Sequence, residues 1–131
     1  MAEENQLIIW RDSVCAGDDC DAPHERILDV AGESLRGVTH RLLGERYLAS
    51  IIGGKATWIL QTRESGGRPL AVLAQQWPEP RFLVDADAGV LAYVQGQGRP
   101  HLYLRYLTQV DPDQVFECLS RDEPLPDRYR S

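Results

Sequence analysis

The apolar residues of this chain come in short runs, each cut off by glycine, proline or charged residues. The runs are Leu7-Ile8-Ile9-Trp10, then 26–30, 47–52, 55–60, 70–75, 81–84, 90–94 and 101–107. Their brevity and their content of Ile, Val, Leu, Trp and Tyr suit strands better than helices. Only two stretches keep a helical period. Leu35, Val38, Leu42 and Leu43 follow Ser34, a capping residue, and end near Gly44. Val115, Phe116 and Leu119 follow Asp111-Pro112, a helix-opening pair.

Turn chemistry orders these runs. Gly53-Gly54 joins 47–52 to 55–60 as a hairpin, Gly66-Gly67 marks the next reversal, and Gly96-Gln97-Gly98 separates 90–94 from 101–107 as a last strand pair. Pro78 and Pro80 lack amide hydrogens and stay out of a central ladder. At 131 residues a chain buries roughly two thirds of its unfolded surface, enough for one domain without staples. The expectation is therefore a single α+β domain over 1–131, with an ordered core at about 6–120 and a loosely packed tail at 121–131. Its sheet is expected to be an antiparallel meander of six to eight short strands with both helices on one face, so that each element buries its one apolar side.

Charge narrows the function. The formal net charge is -6, which disfavours phosphate backbones and anionic lipid, so neither nucleic acid nor membrane is the expected partner. The acids are concentrated at the ends: residues 1–33 hold nine against Arg11 and Arg26, whereas 34–110 hold five against nine bases. The start of the chain carries Glu3 and Glu4 in place of a basic export signal, and no apolar stretch is long enough to span a bilayer. Three cysteines cannot all pair within one chain, so the cytoplasm is the expected compartment.

Residues 12–25 form a loop too long to be a mere connector. It holds Cys15, Cys20 and His24, all zinc-type ligands, but not at the paired short spacing of a structural zinc site, and a fourth ligand must come from His40, His101 or Cys118. Asp18, Asp19 and Asp21 lack the ligand register and closing glutamate of a calcium loop. Those aspartates also oppose thiolate formation at Cys15 or Cys20, which counts against a cysteine nucleophile. Gly53-Gly54-Lys55 is no phosphate loop, because Ala49 stands where the earlier glycine belongs and Ala56 where the hydroxyl belongs. No catalytic residue, metal ligand set or cofactor site is assigned, and the chain is not expected to be an enzyme. A metal-binding module or small enzyme centred on Cys15, Cys20 and His24 is the alternative, and a subunit of a homo-oligomer is a third reading. Of the three tryptophans, Trp77, in Gln75-Gln76-Trp77-Pro78 at a strand end, is the best candidate for an outward-facing anchor.

The run Arg11-Asp12-Ser13-Val14-Cys15-Ala16-Gly17-Asp18-Asp19 and the run Gly53-Gly54-Lys55-Ala56-Thr57-Trp58, with the acidic charge and the length, resemble small bacterial immunity proteins of polymorphic toxin systems. That resemblance implies a cytoplasmic inhibitor that binds a cognate toxin domain and occludes its basic active-site cleft. Asp18, Asp19, Asp21 and Glu25 would then be the acidic contacts and Trp77 the apolar anchor.

The cysteines are expected to be reduced and chemically idle. Cys15→Ser and Cys20→Ser should leave the melting temperature and any binding activity unchanged. Release of stoichiometric metal by either substitution, measured by elemental analysis, would show instead that the loop is a metal site.

Overall fold

A computed structural model describes residues 5–12, 25–44, 56–64, 66–96, 98–107 and 110–125. In chain order the elements are β1 (Gln6–Arg11), β2 (Arg26–Asp29), α1 (Leu35–Gly44), β3 (Thr57–Gln61), β4 (Pro69–Ala74), β5 (Arg81–Phe82), a 3-10 helix (Val90–Val94), β6 (His101–Tyr106) and α2 (Pro112–Ser120). The fold is α+β. Its six strands form one mixed sheet in the order β2-β1-β6-β3-β4-β5.

The sheet is mostly antiparallel, and one pair departs from the expected meander. β1 runs parallel to β6, with Ile9 beside Leu102 and Trp10 beside Tyr103. β6 also runs antiparallel to β3, with Leu60 beside Leu104. This pairing places β1 between two neighbours, where Leu7, Ile8 and Ile9 are all buried. An apolar run without alternation is what such an interior strand calls for.

The first helix forms where the sequence places it. Ser34 Oγ accepts the amide of Gly37 at 3.0 Å as an N-cap. Leu35, Val38 and Leu42 then pack with Leu7, Ile9, Leu28, Trp58, Leu60, Leu102 and Leu104 in the larger core cluster. The second helix is opened by Asp111, whose carboxylate accepts the amide of Asp113 at 3.0 Å, with Pro112 in the first turn. Its Val115 lies with Ile59, Val72, Leu107 and Val110 in a separate cluster, against which Phe116 and Leu119 pack.

The two helices thus cover opposite faces, not one face as expected. Residues on a strand alternate between faces: Trp58 and Leu60 of β3 meet the cluster of α1, and Ile59 between them meets that of α2. All five residues of β3 are buried. A central strand with apolar side chains on both faces needs a cover on each.

Residues 90–94 differ from the strand reading as well. They coil into a 3-10 helix whose Val90 and Val94 are buried, and Leu91 and Tyr93 pack against the α1 cluster. Strand-forming composition alone does not reveal this turn of helix, in which residues three apart share a side. The turn at Gly66-Gly67 forms as expected, with Gly66 at φ +70 and the amide of Thr62 donating to the Arg68 carbonyl at 3.1 Å. The Gly53-Gly54 hairpin lies outside the described residues.

α2 ends in a paired-carbonyl cap. The Glu123 amide donates to the Cys118 carbonyl at 2.8 Å and that of Asp122 to the Leu119 carbonyl at 3.3 Å. Asp122 takes φ 56 there, a conformation that favours glycine. Beyond the helix residues 121–124 are exposed, and Leu125 lies against the α2 cluster. Asp122→Gly should stabilise the fold by roughly 1 kcal/mol in urea or thermal denaturation. A loss of stability would show that the aspartate side chain more than offsets its backbone strain.

Candidate functional site

The two faces of the sheet are covered unequally. α2 shields its face only over β3 and β4, through Ile59 and Val72. Register assigns Ile27 of β2, Ile8 and Trp10 of β1, and His101, Tyr103 and Arg105 of β6 to the rest of that face. Two large apolar side chains there reach solvent: Trp10 is 39% exposed and Ile27 49%. The Trp10 ring leans on His101 with centroids 5.7 Å apart.

The corner of this half-face is where the acidic 12–25 segment leaves and rejoins the sheet. β1 and β2 pair up to Ile9 and Arg26, so the segment departs after Trp10 and Arg11 and returns through Glu25, which is exposed. Asp12 fixes the departure. Its amide donates to the Leu104 carbonyl at 3.0 Å, and its Oδ2 accepts the Tyr106 amide at 2.9 Å. The carboxylate thereby satisfies a β6 donor beyond the last backbone pair of β1.

Tyr103 completes the anchor. Its hydroxyl donates to Asp12 Oδ1 and lies 3.4 Å from Glu64 Oε1. Burial, then the hydrogen bond and negative charge of Asp12, then Glu64, push its ionisation well above the ordinary tyrosine value of 10.0. At neutral pH the phenol is therefore a fixed hydrogen-bond donor, unsuited to act as a base. The cluster's chemistry is to hold a chain segment in place.

The other candidates are dispersed. Asp18, Asp19, Asp21, Cys15, Cys20 and His24 lie outside the described residues. His40 is exposed on α1 and Cys118 is half-buried on α2, helices on opposite faces of the sheet, so these two cannot join one ligand set. No group of three or more His, Cys, Asp or Glu is placed to hold a metal ion among the described residues. Nor is any helix among them long and apolar enough to cross a membrane.

Trp77 is half-buried and packs against the α2 cluster. The Arg81 guanidinium sits 4.1 Å from its ring centroid and pairs with Asp113 at 2.7 Å. Its ring therefore serves the contact between α2 and the sheet. Trp10 and Ile27 are the exposed apolar pair that sequence reasoning missed. The only signal was their place in strand runs flanking the acidic segment, and the runs do not say which face stays open. No protein family, curated protein or solved structure matches the chain.

Because the folded state raises the pKa of Tyr103, the folded chain keeps a proton that the unfolded chain releases near pH 10. The associated stability is complete below pH 10 and is lost as pH rises above it. Tyr103→Phe should cost about 1.5–3 kcal/mol at neutral pH, typical of a hydrogen bond to a charged group, and should flatten the alkaline decline in urea titrations. Parallel declines in the two proteins would assign the effect to another group.

Proposed function

We propose that this chain is a protein-binding module, a bacterial immunity protein that neutralises a cognate toxin domain by occluding its basic active-site cleft. The reading is supported foremost by one juxtaposition: the exposed pair Trp10 and Ile27 lies at the sheet corner from which the acidic 12–25 segment springs. An apolar patch beside a charged rim is the usual anatomy of a specific protein interface. The aromatic anchor supplies desolvated contact area, and the acids steer a basic partner toward it.

The roles then divide by position. Asp18, Asp19, Asp21 and Glu25 make the acidic contacts, and Trp10, in place of Trp77, is the apolar anchor. Asp12 is already engaged with Tyr103 and Tyr106, so it positions the segment without contacting the toxin. The interaction is stoichiometric and requires no catalytic residue or cofactor. It takes place in the cytoplasm, where a toxin acting on nucleic acid would meet the inhibitor.

The test uses the full chain and the toxin domain encoded beside it. Replacing Asp18, Asp19 and Asp21 together by Asn should slow association and weaken its salt dependence. Trp10→Ala should speed dissociation and weaken affinity about 10- to 100-fold, and both variants should protect toxin-expressing cells less well. Unchanged kinetics and protection in both variants would overturn the proposal, and stoichiometric zinc in the purified protein would favour the module centred on Cys15, Cys20 and His24.

A further inference from the structure

The sheet ends in two different edges. β5 closes one side with two residues, Arg81 and Phe82, directly after Pro80, and so short an edge behind a proline offers little backbone to pair with. β2 closes the other side with the four residues Arg26 to Asp29. It carries no proline or lysine, and its register against β1 has no bulge, so devices that commonly blunt an edge are missing from it. Within it stands Ile27, apolar and 49% exposed.

The ladder fixes which way the β2 backbone points. The Val30 amide donates to the Asn5 carbonyl at 2.8 Å, and the Ile8 amide turns away from β2, to the Pro100 carbonyl at 3.1 Å. Opposed residues of an antiparallel pair alternate between bonded and non-bonded positions. Leu28 and Arg26 therefore exchange bonds with Leu7 and Ile9, whereas Ile27 and Asp29 aim their N–H and C=O groups off the sheet. The Asp29 carbonyl accepts from the Arg41 guanidinium at 3.1 Å, and Arg41 also pairs with Glu33 at 3.0 Å. Nothing among the described residues meets the N–H and C=O of Ile27. An open donor, an open acceptor and an exposed apolar side chain thus coincide at one residue of the edge.

Side chains alternate along the same strand. Leu28 and Val30 are buried in the α1 cluster, while Glu25, Ile27 and Asp29 are exposed in a row on the other face, an acid on either side of an apolar residue. The two cations nearby do not offset that row, since Arg26 alternates onto the α1 side with Leu28 and Arg41 is matched by Glu33. A second copy of this chain is a poor occupant. Antiparallel self-pairing centred on Ile27 would set Glu25 opposite the other copy's Asp29, and like charges directly opposite are destabilising. The row matches instead a strand with a basic residue on either side of an apolar one, whichever way it runs. We propose that the basic partner adds such a strand to the outer edge of β2, exchanging main-chain hydrogen bonds with Ile27, its apolar residue against the Ile27 side chain and its basic residues against Glu25 and Asp29. The inference rests on the reading of this chain as the binder of a basic toxin domain, and specifies how the two chains join.

Amide hydrogen exchange of the full chain, free and bound to the toxin domain encoded beside it, reads the edge directly. The Ile27 amide should exchange fast in the free chain and at least about tenfold more slowly in the complex, whereas that of Leu28, already bonded to β1, should be slow in both. Ile27→Ala and Ile27→Pro both remove most of the side chain, but only proline removes the outward N–H, a change that an edge strand tolerates. Ile27→Pro should therefore bind about tenfold more weakly than Ile27→Ala, with both variants keeping the wild-type circular dichroism spectrum. If the proline variant does not fold, the exchange of the wild-type chain decides alone. An Ile27 amide that gains no protection in the complex, or equal affinities of the two folded variants, would overturn strand addition and leave toxin binding standing. Failure of the wild-type chain to form a complex would overturn both.

Discussion

Strand β6 lies between β1 and β3 and supplies hydrogen bonds to both. Through it the β1–β2 hairpin and the β3–β4–β5 group become one sheet. Its Leu102 and Leu104 are completely buried, and they join Leu7 and Ile9 from one side to Trp58 and Leu60 from the other in a single cluster. Without this strand each group would present an unpaired backbone edge and half an apolar face to water, and neither state is stable for so few residues.

The proposed interaction surface follows from how that sheet is covered. α1 and the 3-10 helix lie on the face bearing Trp58 and Leu60, whereas α2 reaches only Ile59 and Val72 on the other. Arg81 strengthens this partial cover by stacking on Trp77 while pairing with Asp113. Among the described residues no helix covers the β2–β1–β6 half, where Trp10 and Ile27 reach solvent while Ile8 and Tyr103 are buried, and there the Asp12–Tyr103–Tyr106 anchor holds the base of the acidic segment. The surface proposed to bind a partner is thus a by-product of helix length and position, with charge added by the segment beside it.

Features set by neighbouring residues were legible in the sequence. Ser34 caps α1, Asp111-Pro112 opens α2 and Gly66-Gly67 turns the chain, because each depends on local backbone chemistry. The α+β class could also be read from the alternation of short runs with two helical periods. Features set by distant residues could not be read. The parallel β1–β6 pair, the placement of the helices on opposite faces and the coiling of 90–94 all depend on which apolar side finds which neighbour. The site divides along the same line. Its acidic content stands in the composition of 12–25, but the structural duty of Asp12 rests on Tyr103 and Tyr106 far along the chain, and the openness of Trp10 rests on where α2 stops.

The pairing of the first strand with the last has a temporal consequence. Asp12 and Tyr106, bonded in the anchor, stand 94 positions apart, so the β1–β6 ladder closes one of the longest loops the chain can make. Contacts of such separation are slow to form, and during synthesis the edges of β1 and β3 must wait unpaired until residues 101–106 leave the ribosome. Sheet closure is therefore a late event in the life of each new chain, and in that interval the exposed edges are open to pairing with other nascent chains.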